Sequence, residues 1–370
     1  MNVGVINESC KIENRAGLTP SGVSFLLEKG HTIYVQAGAG LKAGYTNEDY
    51  ASQGAKIVFT EEEVFGRSDI VLNISPLNQE ECKFVKKDQI LMGFQHLAVS
   101  KKAIIEELLQ KNVIILGYEI VQERDEVLPF LENLGEVAGQ MCLVISGHLL
   151  QTNQGGRGMI IGGVVSVPPA TALIVGSGVL ARSATRAMLG AGAHTIVLGH
   201  NMDRLRKLEE MTSGRVITLI GTKYNLARMT KIADILIGAV LRPGERAPIM
   251  ITRDMIKTMR KGSVVIDLAI DQGGCIETSR PTTLEHPTYI EEGIIHYCVP
   301  NITSAVSRTS TKVLSNLVVR YLHQIGESGI EDALKANQAL ARGVYIYRGV
   351  IAKQNIAERF GLKSKEIFFS

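Results

Sequence analysis

The sequence predicts an α/β protein built from two Rossmann-like, doubly wound domains, and three observations lead there. At 370 residues, 45% of them hydrophobic and 21% charged, the chain is too long for one ordinary core and apolar enough to build two. Short apolar runs alternate with helical patterns in two successive series, the signature of parallel strands joined by crossover helices. The 37 glycines are scattered through short turns without a collagen period, as many strand-to-helix junctions require.

The first series runs MNVGVI, a helix from Thr19 or Pro20 to Glu28, HTIYVQ, IVLNIS after Asp69, and QILMGF. Thr19-Pro20-Ser21 supplies the helix start and Gly30 the end. Residues 130–152 read as one long helix, which leads through QGGRG and a stretch ending in VPPA to a second unit. That unit holds six strand-like runs, from TALIV to IIHYCV, enough for a complete doubly wound sheet. From Thr303 onward the pattern is helical, and this tail is expected to complete the first domain. The division is therefore 1–128 with 305–370 for a discontinuous first domain, and 129–304 for the second.

Composition narrows the function classes. The net charge of +3 comes from 40 basic and 37 acidic residues with no basic block, Trp is absent and aromatics are 5%, so nucleic acid is a poor partner. No apolar run approaches the length of about 18 residues that spans a bilayer. The first fifteen residues lack the basic start and apolar stretch of a secretory signal. Five widely spaced cysteines, with no C-x-x-C pair, suit free thiols in a reducing compartment. The expectation is a cytoplasmic protein with a small-molecule partner. The eight histidines show no metal-ligand spacing.

Gly176-Ser177-Gly178-Val179-Leu180-Ala181 follows an apolar strand and opens a helix. In that context Gly176 makes the tight turn, Gly178 admits backbone amides to a pyrophosphate, and Ala181 lets helix and strand pack closely, which points to dinucleotide binding in the second domain. The next strand ends at Gly199, where an Asp or Glu would bond the adenosine ribose of NAD. Gly199 removes that acceptor and its negative charge, and His200, Asn201 and Arg204 follow as phosphate partners, so NADP(H) is favoured within an NAD(P)H cofactor. The competing explanation is a solvated helix face beside a decayed nucleotide site.

A second constellation is Arg15, after the first strand, with His96 and Asp271, each at a strand end where open α/β sheets bind ligands. Arg15 suits a carboxylate clamp. Spacing alone also allows a surface charge, a hydrogen-bonded histidine and a turn-forming aspartate.

The chain resembles the alanine dehydrogenase and proton-translocating transhydrogenase family from end to end. The resemblance rests on ENRAGLTP (13–20), HTIYVQAGAG (31–40), FQHLA (94–98), GEVAGQ (135–140), TNQGGRGMIIGGV (152–164), GSGVLA (176–181), IGAVLRPGERAPIMI (237–251), DLAIDQGGCIETSRPTT (267–283) and SRTST (307–311). It implies a substrate domain completed by the C-terminal helices, a nucleotide domain, a cleft between them, and a homo-oligomer, commonly a hexamer. It also implies reversible reduction of an imine formed from a 2-oxo acid and ammonia. By position Arg15 matches the carboxylate clamp, His96 the catalytic acid/base, Asp271 the acid near nicotinamide and substrate, Ala239 and Val240 the backbone lining the cofactor, and Asn301 the asparagine beside the active site.

Three departures stand out. The family's K-x-K-E-P lysine, which contacts the substrate carbonyl, is replaced by Ser75; a cofactor-side serine before the glutamate of GEVAG is Gly135; and the ribose acid is Gly199. The expected function is an NAD(P)-dependent amino-acid dehydrogenase or imine reductase with an altered, larger substrate, including opine-type condensation. The alternative is a catalytically inactive binding or regulatory paralogue.

Overall fold

The computed structural model describes residues 1–10, 13–124, 127–240 and 245–367. Its strands are, in chain order, β1 (Asn2–Val5), β2 (Thr32–Gln36), β3 (Lys56–Val58), β4 (Ile70–Leu72), β5 (Ile90–Gly93) and β6 (Ile114–Gly117). There follow β7 (Thr171–Val175), β8 (His194–Gly199), β9 (Ile217–Ile220), β10 (Ile235–Gly238), β11 (Val264–Asp267), β12 (Thr288–Glu291) and β13 (Ile294–Tyr297). The last two are β14 (Val344–Tyr347) and β15 (Val350–Ile351). The described residues fall into two compact units, 1–134 with 245 and 304–367, and 135–240 with 246–303. The division lies inside the helix Pro129–Leu149.

The first unit has one sheet of order β15-β14-β6-β5-β4-β1-β2-β3, parallel from β6 through β3. Side chains alternate between two buried layers: Val3, Val5, Ile70, Leu72 and Met92 face one core, Val71, Leu91 and Ile115 the other. A sheet covered on both faces needs such continuously apolar strands, which is why the short run IVL alone suffices for β4. The first helix, Pro20–Glu28, is started by Thr19, whose hydroxyl accepts from Gly22 N at 3.1 Å, with proline in its first turn.

The C-terminal tail departs from the purely helical expectation. After the helix Ser307–Ala336, β14 pairs antiparallel with β6 and β15 with β14. Val-Tyr-Ile-Tyr is rich in β-formers, and Arg348-Gly349, both at positive φ (47° and 73°), forms the two-residue turn that antiparallel hairpins favour.

The second unit has a sheet of order β12-β13-β11-β10-β7-β8-β9, parallel except for the β12–β13 hairpin. It thus has seven strands where six were expected, the edge strand β12 being half-exposed and weak in pattern. Among the described residues no helix is long and apolar enough to cross a membrane, and the five cysteines are free thiols, four of them buried.

Candidate functional site

In each sheet the strand order reverses at one place, and ligands in open α/β sheets bind there, outside the carboxyl ends of the strands. In the first unit the reversal lies between β1 and β4. Arg15 lies in the loop after β1, Ser75 follows β4, and His96 follows β5. Arg15 is no surface charge: it is 2% exposed, and its Nε and Nη2 donate to Glu13 Oε1 and Oε2 at 2.7 and 2.6 Å. Ser304, from the C-terminal segment, also donates to Glu13 at 3.3 Å. The guanidinium stands over the Phe94 ring, 5.5 Å from its centre, and that ring stacks on His96. Two more carboxylates complete this crest.

Glu8 accepts from Ile74 N at 2.5 Å and Ser75 N at 3.0 Å. Those two amides favour the ionised form, but burial outweighs them and, with the Glu13 charge, pushes the Glu8 carboxyl up to about 8. Ser75 is buried, and its hydroxyl makes a long 3.5 Å contact with Glu13.

Glu119, fully buried, accepts from His96 N at 2.6 Å, Gln95 N at 3.3 Å and the Tyr345 hydroxyl at 3.0 Å. His96 has φ 43°, a left-handed conformation uncommon for a residue with a Cβ. The Glu119 carboxylate holds that turn, and His96 Nδ1 lies 4.0 Å from it.

In the second unit the reversal lies between β7 and β10. Gly176 follows β7 with φ 127°, and a Cβ there would strike the Ala239 carbonyl, so glycine is required for the two strand ends to approach. Gly178 precedes the helix Val179–Gly190, whose first turn has no side-chain cap, and a Cβ on Gly178 would meet no atom within 4 Å. Open backbone donors at a glycine-rich helix start fit a nucleotide pyrophosphate. Ala181 is fully buried, and a Cβ on Gly135 would sit 3.0 Å from Val179, so small residues bring the long helix onto this turn. Ala239 is buried, with Val240 next to it.

Gly199 ends β8. A Cβ there would lie 2.6 Å from the Ser177 Cβ, so an acid at 199 is excluded by the serine inside the glycine turn. His200, Asn201 and Arg204 are exposed, but the Asn201 side-chain oxygen accepts from Arg204 N at 2.9 Å and caps the next helix. Asp271 lies in the short helical turn after β11 and accepts from Asn301 N at 3.0 and 3.3 Å. Asn301 has φ 54°, so Asp271 stabilises a left-handed backbone there. The structure thus groups Arg15, Ser75 and His96 in one unit, and Gly176, Gly178, Gly199, Ala239, Asp271 and Asn301 in the other.

Two doubly wound sheets, each with functional groups gathered at its strand-order reversal, define a two-unit α/β protein of the nucleotide-fold class. The chain belongs to the alanine dehydrogenase/PNT family, whose N-terminal domain matches residues 4–138 and C-terminal domain residues 142–354. It is 40% identical to an alanine dehydrogenase of Staphylococcus haemolyticus over 98% of this chain and 97% of that one. An alanine dehydrogenase of Methanococcus maripaludis is 38% identical, with coverage of 98% and 97%. A solved L-alanine dehydrogenase superposes with TM-score 0.89 at 35% identity, covering 98% of this chain and 99% of that one. A transhydrogenase structure from Sinorhizobium meliloti shares the fold, with TM-score 0.78 at 19% identity and coverage of 96% and 99%.

Proposed function

We propose that this protein is an NAD(P)-dependent oxidoreductase acting on CH–NH2 or C=N groups, with a substrate altered from alanine. The observation that carries the reading is the full-length identity of about two residues in five to proteins named alanine dehydrogenase, in a chain that keeps Arg15, His96 and Asp271 at strand ends. The nicotinamide, when bound, supplies or takes up a hydride. Arg15, braced by Glu13, binds the substrate carboxylate. His96, set by Glu119, moves the proton, and Asp271 orients the nitrogen, with Asn301 beside it. Ser75 leaves room for a longer substrate side chain. Because Ser75 carries no charge, the donor that would stabilise the reacting heteroatom is lost, and alanine itself should turn over poorly.

The test is nicotinamide absorbance with NADH and NADPH against a panel of 2-oxo acids with ammonium or primary amines. His96→Ala should lower the best rate by at least about 100-fold while NADPH still binds. Binding without turnover anywhere on the panel, and no effect of the substitution, would leave the regulatory reading.

The cofactor reading favours NADPH, because Gly199 provides neither a ribose acceptor nor a charge against a 2′-phosphate. Gly199→Asp alone should weaken both nucleotides, since its Cβ meets Ser177 at 2.6 Å. Combined with Ser177→Gly it should turn the preference towards NADH, read as the ratio of the two dissociation constants. An unchanged ratio in the double variant removes the NADPH assignment.

A further inference from the structure

We propose that the first unit carries an anion site, built for the carboxylate of a small organic acid, in a cavity between the segment after β6 and the C-terminal hairpin. It is distinct from the Arg15 clamp, and it does not rest on the redox reading above.

The cavity measures about 160 Å³ and is lined by Ile120, Gln122 and Leu128 from the segment after β6, and by Arg342, Tyr345 and Lys353 from the C-terminal part of the chain. Arg342 ends the helix Gln338–Arg342, Tyr345 lies in β14, and Lys353 comes just after β15. The antiparallel pairing of β14 with β6 brings these two stretches together, so the cavity is a product of the fold with no signature in the sequence.

Two cations meet there without an acid. Arg342 Nη1 donates to the Gln122 and Glu123 carbonyls at 3.0 and 3.3 Å, and Lys353 Nζ donates to the Arg342 carbonyl at 2.8 Å. Carbonyl oxygens fix where the two charged heads sit but cancel no charge. Among the described residues neither cation has a carboxylate partner, and none of those lining the cavity is acidic. A guanidinium has five donors and an ammonium three, so Arg342 Nε and Nη2 and two Lys353 protons are left for a further acceptor. Burial, and then the adjacent guanidinium, disfavour the charged form of Lys353, a cost that a bound anion relieves.

Exposure orders the two kinds of lining. Arg342 is exposed and Lys353 half-buried, whereas Ile120, Leu128 and Tyr345 are buried. Charge therefore lies towards the mouth and apolar surface towards the floor. Inorganic phosphate matches only the mouth, and a neutral apolar molecule only the floor. A monocarboxylate with a short branched tail matches both: its head meets the guanidinium and the ammonium, and its tail covers the apolar floor. Size agrees, since a cavity of about 150 Å³ takes up a molecule as large as benzene. Tyr345 ties this cavity to the His96 turn, because its hydroxyl donates to the Glu119 carboxylate that also accepts from His96 N.

The experiment is calorimetric titration of the intact protein with isovalerate, its neutral counterpart isovaleramide and inorganic phosphate, together with a crystal soaked in 4-bromobutyrate. Isovalerate should bind at least about tenfold more tightly than isovaleramide, the scale of a hydrogen bond to a charged group, and several-fold more tightly than phosphate. Arg342→Gln and Lys353→Gln should each weaken isovalerate by about tenfold, while Lys353→Arg, which preserves the charge, should keep most of the affinity. The bromine should lie against Leu128 or Ile120. Isovalerate binding no better than the amide, an affinity unchanged in both glutamine variants, or a bromine found only beside Arg15 would overturn the site. Phosphate as tight as isovalerate would overturn the organic-acid assignment. The acid-to-amide comparison and the bromine position need no substitution, so the test stays decisive should a variant fail to fold.

Discussion

Arg15→Met is expected to lose both stability and substrate. The Arg15–Glu13 fork is almost wholly buried, with side-chain exposures of 1% and 0%, so removing the guanidinium strands a carboxylate in the core. Breaking a buried pair from one side typically costs roughly 3 to 5 kcal/mol, because the remaining charge keeps its desolvation penalty and loses its partner. For a unit of this size that is on the order of 10 °C in its melting midpoint. Adding Glu13→Gln to the same background should recover a large part of the loss, since the stranded charge is then gone. On the proposed role of Arg15 as the carboxylate clamp, substrate affinity should not recover. Thermal melts of the single and double variants, set beside the KM for the best 2-oxo acid, separate these effects. A single variant that melts with the wild type would show that the fork contributes nothing.

Glu13 also shows where sequence reading stops. The two sheets were legible because strands such as Ile70–Leu72 and Ile235–Gly238 are buried on both faces and therefore continuously apolar. The glycine turn was legible because a strand before it and a helix after it restrict what Gly176 and Gly178 can do. Strand-end placement likewise put Arg15, His96 and Asp271 after strands, where the fold has them. It did not reveal who holds them. Glu13 lies two residues from Arg15, and its role was accessible from the ENR triplet to a reader asking what neutralises a buried arginine. Tyr345 gave no such signal, being 226 residues from the Glu119 it bonds, on a hairpin strand hidden by the helical pattern around it. Ser177 was equally silent: only the fold shows that its side chain fills the space an acid at 199 would need.

Supports of this kind matter for how the site works. His96 and Asn301 both adopt left-handed backbone conformations, and in each case a carboxylate, Glu119 or Asp271, accepts the backbone N–H of the strained residue. Strain of that sort persists only where the surroundings over-determine it. Both positions follow strand ends where the chain must turn sharply to aim a side chain off the sheet edge, so local propensity yields to the site's geometry.

Ser75→Lys is expected to create alanine oxidation. The resemblance places a lysine there, and in this fold Ser75 N already bonds Glu8 while Ser75 Oγ faces Glu13, so an ammonium introduced at 75 lies next to two carboxyl groups and can draw Glu8 into its ionised form. A donor aimed at developing charge is typically worth about 100- to 1000-fold in rate, and kcat/KM for alanine should rise on that scale. Stability provides a second readout. Glu8 now holds its proton up to about 8, well above its ordinary 4.5, so its neutral form contributes stability that is complete below the ordinary carboxyl range and disappears as pH rises through about 8. A lysine partner favours the ionised carboxylate and removes that loss. The melting temperature of Ser75→Lys relative to wild type should therefore climb between pH 6 and pH 9. A flat difference across that range, with alanine still inert, would mean that the lysine does not reach Glu8 and that the residue at 75 does not select the substrate.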